Sequence, residues 1–261
     1  MLPASGALIF AKVQGPFCHP QAVQFDPCHF THSRIAPILM KKAQRPSAVL
    51  FDMDGLLFDS EAALKVRWQR EAARLGFDLN DALYADLVGV PNVLCEQKLV
   101  QWFKDFPVDE FRSGWRAAAL EEERLSGGIP PKTGALELVA WLEGQGVPMA
   151  LATSSSRASV ERKRSSCPQM FRFAAIVTIE QIVRPKPAPE IYHKACAELG
   201  VEAGNCVVFE DSNPGMRAAI ASGARAIMIP DLATPEACVR EGAARIYESL
   251  THALDRHDEW F

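Results

Sequence analysis

Short apolar runs alternate with amphipathic segments over most of the chain after Ser47. The runs are bounded by polar or glycine-containing segments, which is typical of buried strands. They lie at residues 48–51, 147–152, 174–178, 206–209 and 226–229. Between the later runs, apolar positions recur every three or four residues and predict helices at 133–143, 157–164, 189–199 and 214–222. This alternation predicts an α/β fold, a doubly wound parallel sheet with helices on both faces.

A long helical segment interrupts the alternation after the first strand. Apolar residues recur at spacings of four, four and three at Leu64, Trp68, Ala72 and Leu75, and further helices are predicted at 92–103 and 108–125. Glycine and proline pairs at 127–128 and 130–131 then break the chain. We therefore expect an all-helical cap domain at 62–130, inserted into a catalytic core formed by 47–61 and 131–261. Trp68, Trp102 and Trp115 are expected in the interior of this cap.

Residues 1–46 show no persistent period and contain six prolines, so they predict an extension outside the fold that is not essential. Met40, just before the first strand, is a candidate start of the functional chain. Cys18, Cys28 and the histidines beside them fit no common zinc spacing, and we predict no metal site there.

The amino-acid composition indicates a globular protein and gives no sign of a nucleic-acid-binding or membrane-spanning one. With 48% hydrophobic and 23% charged residues among 261, it is that of a globular protein. A net charge of -4 gives no general attraction to nucleic acid or to an anionic membrane. No apolar stretch reaches the roughly 20 residues that span a bilayer. The seven scattered cysteines favour reduced thiols and a cytoplasmic protein, which we expect to be a monomer.

Polar residues follow the predicted strands where each strand ends. In a doubly wound sheet these positions share one edge, and ligands bind there. The sets are Asp52, Asp54 and Gly55 after the first strand, residues 153–156 after the second, Lys186 after the third, and Glu210 with Asp211 after the fourth.

The chemistry of these groups suits phosphoryl transfer. Carboxylates that converge on one edge repel each other unless a cation lies among them, and hard oxygen ligands favour Mg2+. A lysine and a hydroxyl suit the negative oxygens of a phosphoryl group. One carboxylate can attack phosphorus, and a second can act as acid and then as base.

Four segments in order resemble the motifs of the haloacid dehalogenase-like superfamily: FDMDGLLFDSE, LATSS, RPKPAPEIY and FEDSNPGMRAA. The resemblance extends from Ser47 to about Leu250. The chain is most similar to the branch that contains beta-phosphoglucomutase and small phosphatases, whose members carry a helical cap between the first two motifs.

The resemblance implies a role for each matching residue. Asp52 matches the nucleophile, and Asp54 matches the general acid and base, whose backbone carbonyl also binds Mg2+. The Mg2+ ligands are thus Asp52, Asp54 and Asp211, and Glu210 matches the neighbour that orients metal-bound water. The phosphate-binding residues are Thr153, Ser154 and Lys186, and Gly55 allows the acidic loop to turn tightly.

The chain departs from the family pattern at two places. Pro185 stands where glycine is common before the lysine. The basic run at residues 162–164 is unusual, and we expect its side chains to be solvated. Asp59 and Glu61 are predicted as hinge or helix-capping residues, and the segment 153–156 as the N-cap of the helix that begins at Arg157.

The expected reaction is Mg2+-dependent hydrolysis of a small phosphomonoester, such as a sugar phosphate, a nucleotide-like monophosphate or glycerol phosphate. A mutase of the beta-phosphoglucomutase type is the alternative. In that mutase a histidine of the first cap helix couples closure to catalysis, and this chain has Leu64 there. The loop at 88–92 also lacks the arginine that holds the sugar phosphate. A dehalogenase would not need Asp54, and a catalytically silent binding protein would not need to keep both aspartates.

Overall fold

The computed structural model of the protein describes residues 44–88, 90 and 92–261. The predicted extension at 1–46 therefore lies outside the described residues except at its end, as do Gly89 and Pro91 in the loop at 88–92. The end of the extension contacts the core. The Arg225 guanidinium donates to the Gln44 carbonyl oxygen at 2.7 Å, and the Arg45 guanidinium lies 5.6 Å from the centre of the Phe261 ring.

Six parallel strands form a single sheet in the described part of the chain. They are β1 (Ala48–Phe51), β2 (Met149–Ala152), β3 (Ala175–Val177), β4 (Cys206–Glu210), β5 (Arg225–Met228) and β6 (Arg245–Ile246). The order is β3-β2-β1-β4-β5-β6, and every neighbouring pair is parallel. The predicted fold class and its five strands are confirmed. The sixth strand was not predicted, because two exposed residues carry no strand pattern.

Ten α-helices accompany the sheet within the residues described. They are α1 (Ser60–Arg74), α2 (Asp81–Ala85), α3 (Asn92–Trp102), α4 (Val108–Ser126), α5 (Ala135–Gly144), α6 (Arg157–Ser166), α7 (Glu190–Leu199), α8 (Asn213–Ala221), α9 (Ala237–Gly242) and α10 (Leu250–Asp255). Of these, α2, α9 and α10 are absent from the sequence-based prediction, and each has only five or six residues. None of the helices in the described ranges is long and apolar enough to cross a membrane.

Both faces of the sheet are buried, which explains why the strands are continuously apolar. Within β1, Val49 and Phe51 belong to the hydrophobic cluster on one face, and Ala48 and Leu50 belong to the cluster on the other. Successive side chains of a strand point to opposite faces, so a strand covered on both sides needs apolar residues throughout. All four residues are fully buried.

The segment predicted as the helical insertion contains α1 to α4 and a hydrophobic cluster of its own. The buried Trp68 ring packs edge-on against Phe111 at 5.3 Å between centroids, and Trp115 lies 5.8 Å away. Trp102 also packs against this cluster. Its last helix, α4, ends at the C-cap Gly127, whose φ of 80° is left-handed and suits glycine at a helix terminus.

Candidate active site

The register of the sheet brings the first, second and fourth polar sets together. Phe51, the last residue of β1, pairs with Leu151 on β2 and with Phe209 on β4. Asp52 is therefore level with the ends of both neighbouring strands. The prediction that these polar sets share one edge agrees with this arrangement, because the carboxyl ends of adjacent parallel strands coincide.

The ammonium of Lys186 bridges two carboxylates at this edge. Its Nζ lies 2.5 Å from Oδ1 of Asp52 and 2.6 Å from Oε1 of Glu210, and it donates to the carbonyl oxygen of Ala152 at 3.1 Å. Lys186 is 7% exposed and Glu210 is fully buried. Charge-assisted bonds of this kind offset the cost of burying ions and fix the lysine in one position.

Burial has the largest single effect on the pKa values of Asp52, Lys186 and Tyr192. It raises the pKa of Asp52 to about 7, and the attraction of Lys186 offsets the rise only in part. Burial alone would lower the pKa of Lys186, but Asp52 and Glu210 together hold it above its ordinary value. The Tyr192 hydroxyl donates to the Glu210 carboxylate at 2.7 Å, and burial raises the pKa of this phenol.

Asp54 is held by groups from three parts of the chain. Its Oδ1 accepts from the Ser60 hydroxyl at 2.9 Å and lies 2.8 Å from Nζ of Lys163, and its Oδ2 accepts from the Ser155 hydroxyl at 2.6 Å. Burial would raise the pKa of Asp54, but Lys163 and the two hydroxyls lower it below its ordinary value.

The expectation that the basic run at 162–164 is solvated is wrong for Lys163, which is 6% exposed. Helix α6 buries Val160 against the core, and Lys163 lies three residues further on the same face. The sequence could have indicated that Lys163 lies on the buried face, because Val160, Lys163 and Cys167 follow helical spacing. Arg162 and Arg164 are about half exposed, as expected.

Gly55 turns the acidic loop close to Asp211. Its φ of 83° is left-handed, and a Cβ at this position would lie 2.2 Å from Oδ2 of Asp211. Burial raises the pKa of Asp211 well above its ordinary value, and repulsion from Glu210, Asp52 and Glu61 adds to the rise.

Asp59 and Glu61 differ in their surroundings. Asp59 occupies the N-cap position of α1, but its side chain makes no capping bond. Burial raises the pKa of Glu61 to about 7, and the negative charges of Asp54 and Asp231 contribute. Glu61 therefore faces the carboxylates of the site and does not act as a cap.

The residues after β2 organise the loop that leads into α6. The buried Thr153 hydroxyl accepts from the Ser155 amide at 3.0 Å, whereas Ser154 is exposed. Ser156 caps α6 by accepting from the Ser159 amide at 3.3 Å, as predicted. The phosphate contacts assigned to Thr153 and Ser154 stay predictions.

Comparison with known proteins identifies the family of this chain. A family model described as haloacid dehalogenase-like hydrolase matches residues 46–223. Protein CbbY from Cupriavidus necator is 31% identical over 204 residues, which are 72% of this chain and 78% of that protein. Hexitol phosphatase B from Escherichia coli is 32% identical over 202 residues, 73% of this chain and 85% of that protein.

A solved structure shows the same fold. The crystal structure of a CbbY variant from Rhodobacter sphaeroides in complex with xylulose-(1,5)bisphosphate aligns with a TM-score of 0.65 and 26% identity. The alignment covers 78% of this chain and 95% of that one. The matched family model includes the acidic loop, Lys186 and Asp211, and the chain belongs to the haloacid dehalogenase-like hydrolase family.

Proposed function

We propose that this protein is a Mg2+-dependent phosphatase that hydrolyses a small phosphomonoester through a phosphorylated Asp52. The observation that carries the proposal is the buried contact of 2.5 Å between Lys186 Nζ and Asp52 Oδ1, at the end of the central strand. A lysine in this position holds one carboxylate oxygen of Asp52 and supplies positive charge where phosphoryl oxygens would gather.

In the proposed first step, a carboxylate oxygen of Asp52 forms a bond to phosphorus while the bond from phosphorus to the alcohol oxygen breaks. Asp54 gives its proton to the departing alkoxide. In the second step, Asp54 takes a proton from water, and the water oxygen attacks phosphorus while the bond from phosphorus to the Asp52 oxygen breaks. Inorganic phosphate leaves, and Asp52 is restored.

The phosphoryl group would be surrounded by donors and positive charge. Lys186 contributes an ammonium, and we assign the Thr153 hydroxyl and the Ser154 amide to the phosphoryl oxygens. Helix α6 begins at Arg157, directly after this loop, and the amides at a helix N-terminus favour anions.

The carboxylates present fit a divalent cation. Asp52, Glu210 and Asp211 are buried at one strand edge, and the charge of Lys186 balances only one of them. Burial raises the pKa of Asp211, repulsion from Glu210 and Asp52 adds to the rise, and a bound cation would offset both effects. Gly55 leaves free the space beside Asp211 that a Cβ would fill.

We infer that Asp52, Asp211 and the backbone carbonyl of Asp54 would hold Mg2+, and that Glu210 would orient water beside it. When bound, the ion would offset the charge of the phosphate and of these carboxylates. Within the described ranges, no group of three or more His, Cys, Asp or Glu side chains is arranged to hold a metal. The proposed set needs two such side chains, because the third ligand is a backbone oxygen.

A phosphorylated sugar or polyol is the favoured substrate class, because one relative is named a hexitol phosphatase and a CbbY variant was solved in complex with a xylulose bisphosphate. Nucleotide-like monophosphates and glycerol phosphate stay in the test panel. We assign the helical insertion the role of a cap that excludes water and selects the alcohol. Leu64 packs against the hydrophobic cluster of this insertion, a position that favours hydrolysis over the mutase alternative.

The test is release of inorganic phosphate from a panel of phosphomonoesters, with Mg2+ and with a chelator. We expect Mg2+-dependent release from at least one member and none from Asp52→Asn. The matched control is Asp255→Asn, which neutralises an exposed aspartate of α10 and should leave turnover unchanged. Acid-quenched wild-type protein should carry one phosphoryl group by mass spectrometry, and Asp52→Asn should carry none.

Two outcomes would contradict the proposal. Conversion of beta-glucose 1-phosphate to the 6-phosphate without net release would establish the mutase alternative. Turnover that survives in Asp52→Asn would show that another group is the nucleophile.

A further inference from the structure

Lys163 is a buried cation that the proposed reaction does not use. Its Nζ lies 2.8 Å from Oδ1 of Asp54 and 3.4 Å from the Ser159 hydroxyl, and it sits 5.9 Å from the centre of the Phe58 ring. Phe58 is fully buried. The ammonium is therefore enclosed by a carboxylate, a hydroxyl and an aromatic face.

Stability alone does not explain a lysine at this position. Helix α6 buries Val160 on the same face, and an apolar residue at 163 would pack there without the cost of desolvating an ammonium. Replacing a buried ion pair with apolar residues is often neutral or stabilising. The charge at 163 is thus better explained by what it does to its neighbour.

Three groups fix the carboxylate of Asp54 from different directions. Ser60 begins α1, Ser155 lies in the loop after β2, and Lys163 lies on α6. We propose that Lys163 is a positioning residue, whose ammonium, with the hydroxyls of Ser60 and Ser155, holds the Asp54 carboxylate in one orientation at the edge of the site. This inference rests on the proposed function, in which Asp54 transfers the protons.

Lys163 acts through Asp54 and not by binding substrate. With 6% of its surface exposed, it has little area to offer a phosphate. Asp54 is more open, with a quarter of its side chain exposed. A carboxylate that donates to a leaving group or accepts from water must be aligned with it, and a misplacement of about 1 Å can cost about a hundredfold in rate.

The test compares Lys163→Met with wild type and with Arg164→Met. Methionine keeps the length of the side chain against Phe58 and removes the charge. Arg164→Met makes the same change one residue along α6, at a side chain that is 52% exposed, and should leave turnover unchanged. For Lys163→Met we expect kcat to fall about 10- to 100-fold. The KM and the inhibition constant of inorganic phosphate should stay within about twofold.

A double-variant cycle separates positioning from direct catalysis. If Lys163 acts through Asp54, adding Lys163→Met to Asp54→Asn should lower kcat by no more than about twofold. Lys163→Gln, which keeps a hydrogen-bond donor, should retain more activity than Lys163→Met. Thermal unfolding of each variant checks that the fold is intact, and Lys163→Gln replaces Lys163→Met in the cycle if the latter does not fold.

The outcomes distinguish the two proposals. Unchanged kcat in Lys163→Met, or an equal further loss in the Asp54→Asn background, overturns the positioning role while the phosphatase assignment stands. A raised inhibition constant for phosphate would show direct substrate contact and also overturns it. Wild-type protein that releases no phosphate from any panel member refutes the proposed function, and the role of Lys163 with it.

Discussion

Replacing Lys186 with methionine removes the cation between Asp52 and Glu210. Both contacts are short, 2.5 and 2.6 Å, and the three residues are all at least 93% buried. The variant leaves two buried carboxylates facing each other, with Tyr192 still donating to Glu210 at 2.7 Å. Methionine fills nearly the same volume, so the perturbation is one of charge and not of packing.

The expected loss of stability is large. Removing one partner of a buried ion pair costs about 3 to 5 kcal/mol, because the remaining charge is buried without compensation. For a chain of this size each kcal/mol lowers Tm by roughly 2 to 4 °C, so the fall should be roughly 6 to 20 °C. Adding Asp52→Asn should recover part of the loss, since it removes one of the two repelling carboxylates.

The loss should depend on pH. Burial raises the pKa of Asp52 to about 7 from an ordinary 3.8, so in the native state its ionisation is unfavourable and stability falls as pH rises through this range. Without Lys186 the pKa of Asp52 rises further. The penalty should therefore be largest near pH 8 and smaller near pH 5, where Asp52 is protonated.

Urea unfolding in metal-free buffer at both pH values measures these effects. Lys194→Met is the matched control, because Lys194 pairs with Glu198 at 3.5 Å with both side chains more than one-third exposed (38% and 34%), and such a pair should contribute less than about 1 kcal/mol. A loss in Lys186→Met no greater than in this control, or one that grows as pH falls, would refute the reasoning.

Three further variants test other parts of the site. Without metal, Asp211→Asn should be more stable than wild type in urea unfolding at pH 8, because burial and repulsion raise the pKa of Asp211 and make its ionisation unfavourable in the native state. In calorimetry it should lose the stabilisation by Mg2+, which for wild type is about 2.7 kcal/mol at a hundred times Kd. Tyr192→Phe should cost about 1.5 to 3 kcal/mol in urea unfolding, since Glu210 loses a donor at 2.7 Å. Gly55→Ala should weaken Mg2+ binding in titration calorimetry and lower stability by more than about 1 kcal/mol, because its φ is left-handed and its Cβ would meet Asp211.

The strands and the edge of the site could be predicted because their signals are local. A strand buried on both faces must be apolar throughout, so the four residues of β1 were enough to predict it. The strand β6 was missed because Arg245 and Ile246 are exposed and pair only with β5. A strand of two residues is too short to carry a sequence pattern that predicts its pairing with β5.

The ion pairs of the site could not be predicted in the same way. Lys163 and Asp54 are far apart in sequence, and the contact depends on β2 lying beside β1, which brings α6 to the acidic loop. Tyr192 meets Glu210 because α7 packs against the sheet on the face that carries Val208. Helical spacing could have placed Lys163 on the buried face, but not beside a carboxylate.

The sequence by itself determined the fold class, the order of the strands along the chain, and which polar residues follow each strand. These follow from hydrophobic period and chain order, which are properties of neighbouring residues. The tertiary structure alone decided that Lys186 bridges Asp52 and Glu210, and that Lys163 is buried against Asp54. Such contacts depend on strand order in the sheet and on the free energy of burying charge, and both arise only when distant segments pack together.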